Sequence, residues 1–404
     1  MPHPWSMQVK ERPYPYFDKW RQESPILWNR EMRAFVVTGY KEALSILEDH
    51  QTFSSTNSVF NPEAENVISF PSMINIDEPR HKKLRAIAAK AFTPKSLDRD
   101  WAPRIQRITR EQLAGVGPDV FNVVGDLAFP LPVRMIAEVI GVDSGKYNEF
   151  KTWSDHLAQR IGIPESERGG VADMEFQIAI MNLTVYFMQE IEKRCQVPQD
   201  DLFTRILEAE VDGEMLTPVE IQAFLVLLLV AGNETTTNLI AHAIRALSLD
   251  PALFQAVQSD RTLVAKLIEE ALRWEAPIQG FYRKATRDIE ISGVQLKAGD
   301  PLCVMYAAAN RDPAKYECPA EIKLERASRE HLAFGKGVHY CLGANLARLE
   351  ADIALNAVLD HFASLTPVDS DHIAWRQTPF FRGPVEYPVR YTSRVSEPSK
   401  AAVA

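Results

Sequence analysis

Two short stretches of the sequence hold residues whose types and spacing suit chemistry. The first is Phe334-Gly335-Lys336-Gly337-Val338-His339-Tyr340-Cys341-Leu342-Gly343. A helical pattern follows from Ala344 to Phe362, with Leu346, Leu349 and Ile353 on one side, so Cys341 falls at a helix entrance. Backbone N–H groups and the positive end of a helix dipole favour a thiolate there, and flanking glycines let the chain pass close to a flat ligand. A thiolate ligand to haem iron needs that environment. Two other chemistries fit less well. A dinucleotide loop needs a third glycine where Tyr340 stands. A cysteine nucleophile needs a partnered base, and His339 lies only two residues away in the same tight loop. A lone cysteine can also be a small buried hydrophobe and nothing more.

The second stretch is Ala231-Gly232-Asn233-Glu234-Thr235-Thr236-Thr237, which ends the apolar run Ala223 to Ala231. A glycine, a carboxylate and three β-branched threonines oppose a helix where burial should be deepest. Local rules tend to be broken at functional sites. The element that must carry this stretch is well signalled. Thr217 can cap, Pro218 suits the first turn, Glu220 completes a capping box, and Asp250-Pro251 stops the pattern. A helix of that length spans about 46 Å and should run through the core.

The pattern Phe334-x-x-Gly337-x-x-x-Cys341-x-Gly343 resembles the haem-binding loop of cytochrome P450 monooxygenases, and three further motifs follow in that family's order. Ala231-Gly232-x-Glu234-Thr235 is similar to its oxygen-activating acid and alcohol. Glu270-x-x-Arg273 is similar to its ion-pair helix, and Asn310-Arg311-Asp312 with Arg326 to the segment that completes a Glu-Arg-Arg triad. The resemblance covers about residues 10 to 393. It implies a mainly α fold with small β-sheets, triangular in outline, with the long central helix over the haem, as one domain over 1–396 followed by a disordered tail at 397–404. It also implies haem b held by the Cys341 thiolate. His81 and Arg85, four apart on one helix face, match the family's His-x-x-x-Arg that contacts haem propionates; Arg283 and His339 match two more propionate partners, and Phe334, Gly335 and Gly343 line the cofactor. Met73, Ile74, Leu227, Val230, Ala231, Gln279, Gly280 and Phe381 are the implied substrate pocket. The implied reaction inserts one oxygen atom from O2 into a C–H bond of an apolar fatty acid, terpenoid or steroid, as in the soluble bacterial branch.

Composition agrees with this class. Of 404 residues 46% are hydrophobic and 25% charged, and 45 basic against 54 acidic side chains give a net charge of −9, so nucleic-acid binding is not expected. The four cysteines show no C-x-x-C pair, the apolar run is too short to span a bilayer, and the N-terminus lacks a signal-peptide pattern. A cytoplasmic, soluble monomer is the expectation. With no flavin, nicotinamide or iron–sulfur fingerprint, electrons are expected from a ferredoxin or flavodoxin with its NAD(P)H-dependent reductase, steered to a basic patch of Lys82, Lys83, Lys90, Lys336 and Arg348. Segments 54–72 and 159–176 are expected to gate access. The competing readings are a coupling oxidase or peroxygenase on the same scaffold, a haem gas sensor, and a cysteine hydrolase.

Overall fold

The computed structural model describes residues 1–56, 72–160, 169–199, 201–211, 213–328 and 330–394. Residues 57–71 and 161–168, the greater part of the expected gating segments, and the tail from 395 lie outside the described residues.

Eight helices position the site: α1 (Arg80–Ala89), α2 (Ala102–Ala114), α3 (Pro130–Ile140), α4 (Tyr147–Arg160), α5 (Val171–Gln196), α6 (Pro218–Leu249), α7 (Leu263–Trp274) and α8 (Ala344–His361). Helix α6 is the long central helix. It begins in the expected capping box, with Thr217 Oγ1 accepting from the Glu220 N–H and Glu220 Oε2 accepting from the Thr217 N–H at 3.0 Å. Its length and apolarity would pass for a membrane span, but 78% of its most apolar window is buried inside the protein. Gly232 has a packing reason: a Cβ there would approach the Ile136 side chain to 2.9 Å, so the glycine lets α6 lie against α3. Asn233 then ties α6 to α4, donating to Ser154 Oγ at 2.9 Å.

Eight strands form the two larger sheets: β1 (Ile26–Asn29), β2 (Ala34–Val37), β3 (Phe53–Ser54), β4 (Val120–Asn122), β5 (Phe281–Ala285), β6 (Pro301–Val304), β7 (Phe362–Pro367) and β8 (Pro388–Ser393). The first sheet runs β1-β2-β6-β5-β3, with only β2 and β6 parallel; the second runs β7-β8-β4. A separate antiparallel hairpin pairs Ile289–Ile291 with Val294–Leu296 around Ser292-Gly293, two runs that also read as extended in the sequence. Of these strands, β3, β4, β5 and β7 carry no extended signal in the sequence, and β4 lies within the stretch 79–275 that the sequence reads as almost wholly helical. β4 carries no long alternating run of its own and exists by pairing with β8. In β5, Phe281 and Arg283 are two residues apart and share a face, which delivers both to the central cavity.

Helix α7 carries a buried ion-pair cluster. Arg273 Nη2 lies 2.7 Å from Glu270 Oε1, and Arg326 Nε reaches the same oxygen at 2.6 Å. Arg273 Nε donates to the other Glu270 oxygen at 2.8 Å, and further guanidinium hydrogens go to the carbonyls of Asn310, Glu317, Cys318, Pro319 and Glu321, so the cluster staples the segment before the Cys341 loop to α7. Arg311 lies beside it, donating to the Trp274 carbonyl at 2.6 Å.

Candidate active site

A cavity lies between α6 and the Cys341 loop, with about 1880 Å³ of space not filled by protein atoms, its open mouth included. The loop shape depends on two glycines. Gly335 and Gly337 sit at φ of 69° and 70°, and a Cβ on Gly337 would come within 2.3 Å of the Leu47 carbonyl oxygen. The Cys341 N–H donates to the Phe334 carbonyl at 2.8 Å, closing the loop, and Arg85 Nη2 donates to the Tyr340 carbonyl at 2.6 Å. Cys341, His81, Arg85, Arg283, Phe334, Gly335, His339 and Gly343 all line this one cavity.

Helix α6 forms the opposite wall. Leu227, Val230, Ala231, Thr235 and Thr236 face the cavity. Thr235 Oγ1 donates to the Ala231 carbonyl at 2.8 Å. Glu234 does not line the cavity. About 100° per residue on a helix turns it away from Thr235, and its Oε1 accepts from Asn238 Nδ2 at 3.4 Å while Oε2 has no partner among the described residues. Burial raises its pKa, opposed by Arg376, 3.5 Å away, and reinforced by Asp155. The acid and the alcohol are therefore neighbours on two different faces.

Met73, Ile74 and Phe381 complete the apolar lining. Gln279 and Gly280 do not belong to it, contrary to the sequence expectation. The Gln279 N–H donates to the Phe380 carbonyl at 2.7 Å and its side-chain amide to the Ala276 carbonyl at 2.9 Å, which holds it beside Phe17 and Trp375 instead. Gly280 is pressed on β6, where a Cβ would meet the Val304 carbonyl oxygen at 2.5 Å. Their neighbours Ile278 and Phe281 reach the cavity. Arg348 also departs from expectation: Glu269 holds it at 2.7 and 2.9 Å. Lys82, Lys83 and Lys90 are exposed at the surface.

Sequence reasoning missed Glu350. It lies on α8 four residues after Leu346, 3% exposed, lining the cavity with Oε2 unpartnered among the described residues, and burial alone pushes its pKa up to about 8. An acid at an apolar-face position of a helix was the available signal. Thr236 and Tyr306 were missed as well.

Do these residues fit a haem? Neither Arg85 nor Arg283 has a carboxylate partner among the described residues. Arg283 spends a proton on the Tyr282 carbonyl, and His81 meets Glu78 at 3.3 Å. The His81 and His339 rings lie 4.1 Å apart, and His339 Nε2 is buried without a partner among the described residues. Burial first, then Arg283, His81 and Arg85, lower the His339 pKa to about 2. Such a cluster leaves cationic groups to be balanced by an anion, which the carboxylates of a porphyrin supply. Burial raises the Cys341 thiol against the Gly343 N–H, Arg85 and Arg348, so the helix entrance alone does not make the thiolate; a bound cation completes it. The residues fit the group.

A long buried helix on one wall of a cavity, a cysteine in a glycine-shaped loop on the other and cations in its lining define the haem-thiolate class of protein. The cytochrome P450 family model matches residues 172–387. The chain is 39% identical to cytochrome P450 109 of Bacillus spizizenii, over 94% of this chain and 92% of that protein. It is 34% identical to a steroid C26-monooxygenase of Rhodococcus jostii, over 88% of this chain and 77% of that one. The crystal structure of CYP109E1 from Bacillus megaterium in complex with corticosterone superposes with a TM-score of 0.83 at 35% identity, covering 95% of this chain and 99% of that one. The chain belongs to the cytochrome P450 family. It is a monooxygenase, an oxidoreductase carrying haem on a cysteine thiolate, and takes its electrons from partner proteins and acts on apolar substrates.

Proposed function

We propose that this enzyme inserts one oxygen atom from O2 into a C–H bond of a steroid, fatty acid or terpenoid, with Cys341 as the iron ligand. The observation that carries the reading is the continuity of the apolar wall, from Met73 and Leu227 to Phe381, with Thr235 and Cys341 in one cavity. A haem held there by Cys341 would supply the activation of O2. His81, Arg85, Arg283 and His339 balance its carboxylates and fix its orientation. The apolar wall binds the substrate and excludes water from it. Thr235 Oγ1, on the cavity face of α6, can turn from the Ala231 carbonyl to donate into the cavity, and Glu234, whose pKa burial raises, is the acid that restores its proton by way of water. Arg376 and Asp155 link Glu234 towards the surface.

The chain acts as one domain over 1–396 in the cytoplasm, and its electron donor is a small acidic ferredoxin or flavodoxin served by an NAD(P)H-dependent reductase. Exposed Lys82, Lys83 and Lys90 on α1 and its C-terminal end supply the steering charge.

Titrating the ferric enzyme with a steroid, a long-chain fatty acid and a terpene tests the reading. At least one is expected to displace iron-bound water and shift the Soret band to the blue, saturably, with a dissociation constant on the order of micromolar. No shift with any of the three, and no ligand-stimulated electron uptake, would contradict an apolar-substrate monooxygenase.

A further inference from the structure

Helix α5 carries an unusual outer face. Val171, Met174, Ile178, Met181, Val185 and Met188 are spaced three and four residues apart in alternation, and each is between 46% and 67% exposed. They make up six of the sixteen large apolar residues exposed among the described residues, so they are a surface feature and not scatter. The opposite face of α5, with Leu183, Tyr186 and Phe187, is already committed to the core. The exposed residues fall on the a and d positions of a heptad repeat, which runs on to exposed Glu192 and Cys195. Of the positions flanking the seam, Gln177, Asn182, Thr184 and Gln189 are uncharged and Glu175 is acidic, with His156 Nδ1 3.3 Å from its carboxylate, so most of the seam would meet without like-charge repulsion.

We propose that this face is a self-association surface, and that two copies of the chain pair through α5 with the a and d residues of each packed among those of the other. Six residues at these exposures offer about 600 Å² per copy, and two copies about 1,200 Å², the lower edge of the range for specific interfaces. A closed two-fold pair buries the same patch twice and leaves no stripe exposed. A lipid surface fits the face less well. Interfacial helices carry Lys and Arg along the polar flank, whereas no Lys or Arg occurs from 171 to 192, and Asp173, Glu175 and Glu192 are acidic. The pairing departs from the monomer expected from sequence, and it does not depend on the substrate assignment above.

The test is the mass of the haem-loaded enzyme in solution from 1 to 100 µM, by light scattering and sedimentation velocity, for wild type and for Ile178→Glu with Met181→Glu. The wild type is expected to approach twice 45.6 kDa with rising concentration. The double variant, with a wild-type haem spectrum and unfolding midpoint because both sites are exposed, is expected to associate at least ~100-fold more weakly. A wild type that stays at 45.6 kDa throughout, or one that floats with phosphatidylcholine vesicles as a monomer, would overturn the proposal. So would a dimer that survives in the double variant, since it would use another face. If the double variant does not fold, Met181→Gln replaces it and is expected to weaken the pair in the same direction; an unchanged dimer there overturns the proposal equally.

Discussion

Glu270→Ala is expected to leave little folded, haem-loaded protein. The side chains of Arg273 and Arg326 are 2% and 6% exposed, and both converge on Glu270 Oε1 at 2.7 and 2.6 Å. Removing the carboxylate leaves two guanidinium groups in the interior with only carbonyl partners. Breaking a buried pair from one side costs about 3–5 kcal/mol, against a total folding stability of about 5–15 kcal/mol. The damage is directed at the site, because the same arginines hold the carbonyls of Asn310, Cys318, Pro319 and Glu321 ahead of the Cys341 loop. Urea unfolding of wild type and variant at pH 7, with haem content of the soluble fraction, measures it. Glu270→Gln, which keeps size and loses charge, is expected to recover only part of the loss. A midpoint change equivalent to less than about 1 kcal/mol in Glu270→Ala, the range of an ordinary surface substitution, would show that the cluster does not hold the fold.

Thr235→Ala is expected to keep the fold and the haem spectrum while separating electron consumption from product formation. The hydroxyl donates to the Ala231 carbonyl and faces the cavity, so its removal costs one local hydrogen bond and opens no large void. Its chemical loss is greater. Positioned proton transfer contributes on the order of 10²–10⁴ to a rate, so product per electron is expected to fall at least about tenfold, with hydrogen peroxide rising to match. Thr235→Ser, which restores the hydroxyl, is expected to recover most of the coupling. Simultaneous measurement of nicotinamide consumed, peroxide released and product formed decides the matter; unchanged coupling in Thr235→Ala would remove Thr235 from proton delivery.

The local parts of the site were readable because they are contiguous. Cys341, its glycines and the helix after it form one run of sequence, and the capping box of α6 announces where the central helix starts. Direction was harder. Glu234 and Thr235 read as a pair, yet the helical turn between them sends one towards Arg376 and the other into the cavity. Gln279 and Gly280 read as lining, but hydrogen bonds to Phe380 and Ala276 and the press of β6 hold them away from it. Glu350 sits beside the apolar residues of α8 in sequence, but only the packing of α8 shows that its side chain is buried with Oε2 unpartnered among the described residues. Strand β4 depends on β8, more than 260 residues later, and no local pattern encodes such a pairing. The heptad stripe of α5 was present in the sequence too, where periodicity alone does not say whether an apolar face looks inward or out.

The central claim is that Cys341 is the ligand that makes this a haem-thiolate enzyme. It is tested most directly by the absorption spectrum of the purified protein, reduced under carbon monoxide, for wild type and for Cys341→Ser. The account predicts a strongly red-shifted Soret band in wild type that is lost in the variant. A wild type without a haem band, or a histidine-type spectrum that survives the substitution, would contradict it.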